Sequence, residues 1–220
     1  MRFASVVFDF DSTVVDCETL DIVSEIALAA RDDKDAVLAE VKRITALGME
    51  GAIPFDESLS RRIALVAPTR AAVSLVAERI VEHITPSFLA RKDFFETHRG
   101  QIAIVSGGFD EIIWPVADIL GIPRSLVYAN EFVFDERGIA IGVDTTRASA
   151  QAGGKTRAVR AVNMQQPIVI VGDGWTDYEI KEQGVADTFI AYTEHAQREK
   201  VIAHADARAA SGEELFGLLE

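Results

Sequence analysis

Two acidic residues stand two positions apart at the point where the first apolar run of the chain ends. The sequence there is Phe8-Asp9-Phe10-Asp11-Ser12-Thr13-Val14. Carboxylates that leave a buried strand cost free energy unless a cation or a substrate requires them. One carboxylate can attack a phosphorus atom while the other, kept protonated, gives its proton to the leaving oxygen. Taken alone, the pair is better explained as loop acids that cap the following helix.

A second acidic pair follows another apolar run, in Val171-Gly172-Asp173-Gly174-Trp175-Thr176-Asp177. The glycines on both sides of Asp173 predict a close approach of the backbone. With Asp9, Asp173 would supply the hard oxygen ligands that suit Mg²⁺, an ion that binds few carboxylates and keeps several waters. Taken alone, this motif too has a simpler interpretation, a strand-to-helix turn in which Thr176 or Asp177 only caps the helix.

Two further segments could hold an anion. In Ser106-Gly107-Gly108, a hydroxyl and backbone N–H groups at a predicted helix N-terminus would cradle a phosphate. In Gly153-Gly154-Lys155, the lysine opens a predicted helix, where its charge opposes the helix dipole unless it faces an anion. A glycine turn and a solvated surface lysine are the simpler explanations of the two segments taken singly.

Short apolar runs predict the strands that position these residues: Ser5–Phe10, Ile102–Val105, Ile168–Val171 and Thr188–Ala191. Continuous rather than alternating hydrophobicity indicates strands buried on both faces, as in a parallel sheet. Helical patterns separate them, over Phe109–Leu120, Thr156–Val162 and Asp177–Gln183. This alternation predicts a doubly wound α/β fold with a mostly parallel sheet, in which ligands bind beyond the carboxyl ends of the strands. Asp9, Ser106 and Asp173 all fall at such ends.

The stretch from Thr19 to His83 differs, because it carries helical patterns and no strand signal. Four helices are predicted there, Leu20–Ala30, Asp35–Leu47, Phe55–Val66 and Arg70–Ile84, with breaks at Gly48, Gly51, Pro54 and Pro68. We therefore predict a helical cap domain, residues 16–85, inserted after the first strand of a core domain made of residues 1–15 and 86–220. A hairpin over Phe132–Phe134 and Ile139–Val143 and a C-terminal helix over Glu213–Leu219 complete the expected core.

Composition limits the classes of partner. The 220 residues include 22 Lys and Arg against 35 Asp and Glu, a formal net charge of −13. Such a surface repels nucleic acids and anionic membranes, and we see no basic patch that would offset the repulsion. The single cysteine, Cys17, rules out an internal disulfide and fits a reducing compartment, and no apolar run reaches membrane length. We expect a cytoplasmic protein, a monomer or a homodimer.

The four motifs together, in this order, resemble the haloacid dehalogenase (HAD) superfamily over essentially the whole chain, and within it the phosphoserine phosphatase branch. The resemblance implies a Rossmann-like core and a Mg²⁺-dependent phosphatase that works through an aspartyl-phosphate. Asp9 would be the nucleophile, and Asp11 the general acid and then the base that activates water. The implied ligands are Ser106, Gly107 and Lys155 for phosphate, and Asp9, the backbone carbonyl of Asp11 and Asp173 for Mg²⁺, with Asp177 as outer support.

The resemblance also implies a substrate, through residues of the cap. Glu18 would pair with the substrate ammonium, and Arg62 would clamp its carboxylate, for which a guanidinium fork is well shaped. Met49 and Phe55 would wall the pocket, and Thr176 would touch the bound amino acid or the attacking water. Together these residues describe a phosphorylated small metabolite, O-phosphoserine, and a place in serine biosynthesis. The simpler alternative for Glu18 and Arg62 is ordinary salt bridging on helices.

Trp175 and Tyr178 depart from the pattern of the branch, because large aromatic side chains at the rim would reshape the pocket. Two alternatives therefore stay open beside phosphoserine hydrolysis. One is a phosphatase or phosphotransferase that acts on another small phosphomonoester. The other is a non-catalytic module that binds a phosphorylated ligand, which the acidic motifs disfavour because pure binding needs no nucleophile.

Overall fold

The computed structural model describes residues 1–49, 52–151 and 153–220. Its centre is a six-stranded parallel sheet with the strand order β3-β2-β1-β6-β7-β8, and a two-stranded antiparallel hairpin, β4-β5, stands apart from it. The strands are β1 (Ser5–Phe8), β2 (Ile102–Phe109), β3 (Val127–Asn130), β4 (Phe132–Phe134), β5 (Ala140–Val143), β6 (Ile168–Gly172), β7 (Thr188–Tyr192) and β8 (Ala207–Ala209). The predicted α/β fold with a parallel sheet is confirmed.

Strand β1 lies inside the sheet, paired with β2 on one side and β6 on the other, so that Val6 is level with Ile102 and Val169. Successive side chains of a strand point to opposite faces. Accordingly Val6 belongs to one hydrophobic cluster and Val7 to a second one. Both faces of the sheet are therefore buried, which is why its strands are continuously apolar in sequence.

Eleven α-helices occur in the described residues: α1 (Thr19–Ala27), α2 (Lys34–Met49), α3 (Phe55–Val66), α4 (Arg70–Arg79), α5 (Pro86–Ala90), α6 (Lys92–Thr97), α7 (Asp110–Leu120), α8 (Gly154–Val162), α9 (Trp175–Glu182), α10 (Glu199–Ile202) and α11 (Gly212–Leu219). Short 3₁₀ turns add residues 80–83, 124–126 and 148–150. No helix among the described residues combines the length and the apolar character needed to cross a membrane.

Helices α1–α4 lie between β1 and β2, as the sequence predicts for the helical insert. They pack on one another and on the core, because Val73 and Val76 of α4 share a hydrophobic cluster with Ile112 and Ile113 of α7. The hairpin also reaches the insert, where Thr69 forms an isolated antiparallel bridge with Ile139. The division into a core and a cap at residues 15/16 and 85/86 stays a prediction.

Several boundaries differ from those predicted, for local reasons. Strand β1 ends at Phe8 rather than Phe10, because the backbone turns at Asp9 into a short helical segment, Phe10–Val14. Strand β2 continues through Ser106-Gly107-Gly108 to Phe109, so these residues form the end of a strand and not the first turn of a helix. The short strands β3 and β8 and the short helices α5 and α6 were not predicted, because so few residues show no clear period.

Candidate active site

Three carboxylates meet beyond the carboxyl ends of β1 and β6. Asp9 follows β1, and its backbone N–H donates to the carbonyl of Val171 in β6, 2.8 Å away. Asp173 follows β6, and Asp177 lies in the first turn of α9. Each of the three offers an oxygen that lies within 4.8 Å of the other two, and all three residues are buried. Parallel pairing thus brings together residues more than 160 positions apart, as the sequence predicted.

A left-handed residue follows Asp11 and redirects the chain towards α1. Ser12 has a φ of 53°, in the left-handed region that residues other than glycine seldom adopt. The carboxylate of Asp11 then accepts hydrogen bonds from the backbone N–H of Thr19, at 3.1 Å, and from its hydroxyl, at 3.2 Å. Asp11 is therefore held by the first residue of α1 beside the cluster of carboxylates.

The surroundings of Asp11 favour the protonated form that a general acid needs. Burial raises the pKa of this carboxyl well above its ordinary value, and the nearby charges of Glu18 and Asp9 raise it further. The hydrogen bonds from Thr19 lower the pKa but do not offset these effects. A raised pKa favours the protonated form of the carboxyl, which can give its proton to a leaving oxygen.

Lys155 lies between two of the carboxylates. Its Nζ is 2.8 Å from Asp9 Oδ2 and 2.8 Å from Asp177 Oδ1. Burial alone would lower the pKa of Lys155, but the charges of Asp177 and Asp9 raise it above its ordinary value, so the amine stays cationic. Helix α8 can bring the lysine so close because it begins at Gly154, where a Cβ would lie 2.5 Å from the carbonyl oxygen of Ser149.

Asp177 supports the cluster from α9. Its Oδ2 accepts a hydrogen bond of 3.0 Å from the backbone N–H of Gly174, so it also caps its own helix. Its carboxylate lies against Gly172, where a Cβ would be 2.4 Å from Oδ2 and no larger residue fits. Burial, then the charge of Asp9, raises the pKa of Asp177 to about 7 despite the opposing effect of Lys155.

The donor set fits a divalent cation. Asp9, Asp173 and Asp177 offer hard oxygen atoms in a buried space, where three like charges repel one another strongly. A hard ion such as Mg²⁺ takes this kind of ligand. Burial and then the charge of Asp9 raise the pKa of Asp177, and a bound cation would relieve the repulsion from Asp9.

Ser106 and Gly107 lie at the end of β2, next to the carboxylates. Ser106 is buried, and its Oγ accepts a hydrogen bond of 2.9 Å from the backbone N–H of Gly108. A Cβ on Gly107 would lie 2.6 Å from the ring of Phe55, so the glycine lets the first residue of α3 pack directly on this strand end. The predicted wall residue Phe55 and the predicted phosphate residues are thus neighbours.

A single cavity of about 390 Å³ joins these residues to the helical insert. Of the residues predicted from sequence, it is lined by Asp9, Asp11, Glu18, Phe55, Arg62, Ser106, Gly107, Lys155, Asp173, Trp175 and Thr176. The side chain of Met49, another predicted wall residue, lies outside the described residues. Tyr178 is not among the described residues that line the cavity; its ring packs beside Phe189 and His204, so the prediction that it stands at the rim is wrong.

Arg62 lies in this cavity as a buried cation. It is 8% exposed, and its guanidinium donates to the carbonyl of Ser58 and to the hydroxyl of Thr45, both at 3.3 Å. Within the described residues, no carboxylate lies within 4 Å of it. Burial lowers the pKa of Arg62, yet an arginine stays charged in proteins. A buried guanidinium whose hydrogen-bond partners, as far as the chain is described, are neutral has the chemistry to bind an anion.

Glu18 precedes α1 and faces the same cavity. Its Oε1 accepts a hydrogen bond of 2.9 Å from the hydroxyl of Ser12 and lies 3.8 Å from Nη2 of Arg198. Burial raises the pKa of Glu18, while Ser12 and Arg198 lower it. Glu18 and Arg62 thus present opposite charges to one cavity without pairing with each other.

The sequence analysis missed Arg198, which lies on the loop after β7. Its guanidinium contacts the carboxylate of Asp173 and donates to the carbonyl oxygen of the same residue at 3.2 Å. Arg198 also contacts Glu18, so it connects the carboxylates of Asp173 and Glu18. Lys200, two residues on, lies 4.0 Å above the ring of Trp175. Arg198 belongs to no recognisable sequence motif. Its place at the site becomes clear only in the folded chain, where the loop after β7 returns to the edge of the sheet.

The comparisons with known proteins agree with this arrangement. Residues 6–181 match the family model of haloacid dehalogenase-like hydrolases. The chain is 32% identical to the phosphoserine phosphatase of Homo sapiens over 98% of this chain and 93% of that protein. It is also 32% identical to the phosphoserine phosphatase of Methanocaldococcus jannaschii, over 84% of this chain and 85% of that one.

A solved structure extends the likeness to three dimensions. It is a phosphoserine phosphohydrolase-like protein from Francisella tularensis, with a TM-score of 0.89 and 32% identity over 98% of this chain and 99% of that one. The family model covers well over half of the chain, and the relatives match nearly all of it. This chain therefore belongs to the haloacid dehalogenase-like hydrolase family.

Proposed function

We propose that this protein is a Mg²⁺-dependent phosphatase that hydrolyses O-phospho-L-serine to L-serine and phosphate. The observation that carries the proposal is a single cavity with three charged regions. Lys155 and the end of β2 suit a phosphate, Arg62 suits a carboxylate, and Glu18 suits an ammonium group. Two relatives of this chain bear the name of this activity.

In the proposed reaction, a carboxylate oxygen of Asp9 attacks phosphorus, and the bond from phosphorus to the serine oxygen breaks. Asp11 donates its proton to that oxygen, so serine leaves with a neutral hydroxyl group. Asp11, now ionised, takes a proton from water, whose oxygen attacks the phosphoryl group on Asp9. Inorganic phosphate leaves, and both carboxyls return to their first state.

The surrounding residues provide the charge balance of both steps. Lys155 holds Asp9 in place and meets the phosphate oxygens, together with Ser106 and the backbone of Gly107. Asp9, Asp173 and the backbone carbonyl of Asp11 would hold Mg²⁺, with Asp177 behind them. When bound, the ion supplies positive charge against the phosphate and the carboxylates.

Another small phosphomonoester is the second candidate, because Trp175 of α9, a large aromatic residue, lines the cavity. A panel of phosphorylated metabolites, with alcohol acceptors added, separates hydrolysis of phosphoserine from the other activities. The cytoplasmic location, the lack of nucleic acid and membrane partners, and the monomeric or dimeric state stay predictions from composition.

Replacing Arg62 or Glu18 should change specificity while leaving the phosphate chemistry intact. For Arg62→Gln we expect kcat/KM for phosphoserine to fall about 10²-fold, since a buried charged partner is lost. The loss should vanish with O-phosphoethanolamine, which lacks the carboxylate. For Glu18→Gln the loss should appear with phosphoserine and vanish with 3-phosphoglycerate, which lacks the ammonium. Steady-state kinetics on the three substrates measure both effects.

Arg61→Gln is the matched control for Arg62, because Arg61 is exposed and pairs with Glu57 on the surface of α3 at 3.3 Å. It should leave all three substrates unaffected. If Arg62→Gln lowered kcat/KM equally for every substrate, the variant would have a damaged fold. An unchanged kcat/KM for phosphoserine would show that Arg62 binds an anion other than the carboxylate of this substrate.

Removing divalent ions should abolish turnover and lower stability. We expect EDTA to stop hydrolysis and Mg²⁺ to restore it, because the carboxylates and a phosphate dianion repel one another without a cation. Mg²⁺ should also raise the melting temperature of the wild type, since it binds only the folded site. In Asp173→Asn this rise should be lost. A metal-independent rate, or an undiminished shift in the variant, would count against the proposed ligands.

A further inference from the structure

Three side chains with different ligating atoms meet where the helical insert joins the sheet. Asp16 and Cys17 lie on the segment that leaves the end of β1, and His83 lies on the segment that returns towards α5. Each offers one ligand atom, and these atoms lie within 4.8 Å of one another. His83 Nδ1 is 2.8 Å from Asp16 Oδ1. None of the three is among the described residues that line the catalytic cavity.

The backbone holds this cluster together without any ligand. The N–H of Asp16 donates to the carbonyl of His83 at 3.0 Å, and Val15 and Ile84 form an antiparallel bridge beside it. The carbonyl of Cys17 accepts from the N–H of Ser12 at 3.1 Å, which ties the cysteine to the turn after β1. A site assembled before its ligand arrives avoids most of the ordering cost of binding.

The local charge also attracts a cation. Three carboxylates, Asp16, Glu18 and Asp21, act on the thiol of Cys17, and Asp11 does so when it is ionised. Burial, followed by these charges, raises the pKa of the thiol to about 12. The same negative potential that disfavours a bare thiolate favours a divalent ion that brings its own positive charge. Asp16 and His83 are partly exposed, so the cluster is open to ions in solution.

We propose that Asp16, Cys17 and His83 form a second metal site, specific for Zn²⁺ and similar transition ions. One sulfur, one imidazole nitrogen and one carboxylate oxygen are the ligand types of zinc sites with three protein ligands and an open fourth position. The all-oxygen cluster of the catalytic cavity takes hard ions instead, so ligand softness separates the two sites. An ion bound here would link the two segments that connect the sheet to the helical insert, and the first of these segments leads directly into Glu18.

Cobalt is the sharpest probe, because a thiolate–Co²⁺ bond gives a charge-transfer band in the near ultraviolet. Cys17 is the only cysteine of the chain, so any such band reports this site alone. We titrate the full chain with Co²⁺ in excess Mg²⁺, which keeps the catalytic carboxylates occupied. We expect a band that saturates at one equivalent and that Zn²⁺ abolishes by competition.

The variants test each ligand separately. Cys17→Ser should lack the band, and Asp16→Asn and His83→Gln should each weaken Co²⁺ binding at least tenfold. His98→Gln is the matched control, because His98 is another partly buried histidine, whose Nδ1 lies 3.2 Å from Gln101, and this variant should bind like the wild type. Asp173→Asn should also keep the band, since Asp173 belongs to the catalytic cluster. Circular dichroism shows that each variant is folded.

Two results would overturn the proposal. One is the absence of a thiolate band in the wild type at saturating Co²⁺. The other is a Zn²⁺ affinity, measured by calorimetry in excess Mg²⁺, that Asp16→Asn and His83→Gln leave unchanged. Either would make Asp16 and His83 an ordinary ion pair of the connecting segments. No readout uses turnover, so the outcome is independent of the substrate.

Discussion

Asp9→Asn is expected to abolish phosphoserine hydrolysis, with kcat at least about 10⁴-fold lower, because removal of a nucleophile costs at least this much in comparable enzymes. An amide is too weak a nucleophile to attack phosphorus. It is also neutral, so it cannot form the ion pair that Asp9 makes with Lys155. Phosphate release from phosphoserine, followed over hours at high enzyme concentration, measures the remaining rate.

The same variant should stay folded. Asn keeps the size of the side chain, and the change removes one of three mutually repelling carboxylates while Lys155 keeps its contact of 2.8 Å with Asp177. We therefore expect a melting temperature no lower than that of the wild type. Asp35→Asn, an exposed substitution on α2, is the matched control and should retain full activity.

Two outcomes would contradict the role of Asp9. A rate within tenfold of the wild type would mean that water attacks the substrate directly and that Asp9 is only a ligand. Phosphorylation of another side chain, located by peptide mass spectrometry after a rapid quench with labelled substrate, would move the nucleophile elsewhere.

Asp11→Asn is expected to separate the two halves of the reaction. Loss of a general acid costs about 10²–10⁴-fold for a poor leaving group such as the serine hydroxyl. With p-nitrophenyl phosphate the leaving oxygen needs no proton, so phosphorylation of Asp9 should stay fast. Water activation would still be lost, because the same carboxyl acts as the base. The phosphorylated enzyme should then accumulate.

Rapid-quench kinetics and intact-protein mass spectrometry check this prediction. We expect a burst of p-nitrophenol of about one equivalent per enzyme, and a mass that rises by one phosphoryl group. Thr19→Val is an informative companion, because it removes one of the two hydrogen bonds that lower the pKa of Asp11 and leaves the carboxyl in place. A variant of Asp11 that loses both substrates equally, with no burst, would show that Asp11 serves the fold or the metal rather than proton transfer.

The pair of predictions also distinguishes this enzyme from a binding module. A module needs neither a nucleophile nor an acid with a raised pKa, and the burial of Asp9 and the desolvation of Asp11 cost free energy. Turnover by the wild type, its loss in Asp9→Asn and a trapped intermediate in Asp11→Asn would exclude that alternative together.

Much of the site could be predicted from the sequence, because Asp9, Ser106 and Asp173 each follow a distinct apolar run. The strands around Asp9 and Asp173 are continuously apolar, and parallel strands end at one edge of the sheet. That rule predicts that Asp9 and Asp173 meet, and the structure brings them together. Lys155 opens α8 and follows no strand, so its place beside Asp9 was implied by the family resemblance and not by the rule. Helix α3 was predicted with the bounds it has, since Pro54 and Pro68 mark both of its ends.

Other features could not be predicted, because they depend on contacts between distant segments. Arg198 carries no motif, and it reaches Asp173 and Glu18 only because the loop after β7 returns to the sheet edge. The place of Tyr178 is similar: a helix position two residues from the site can face either way, and here α9 turns it towards Phe189.

The sequence by itself determined the class of fold, the family and the chemistry of the acidic and basic motifs, since these depend on local patterns and on residue types. The tertiary structure decided which charges meet. It left Arg62 buried with neutral partners and raised the pKa of Asp11, because burial and neighbouring charges exist only in the folded chain. It also brought Asp16 and Cys17 to His83, because the two connections of the insert run side by side.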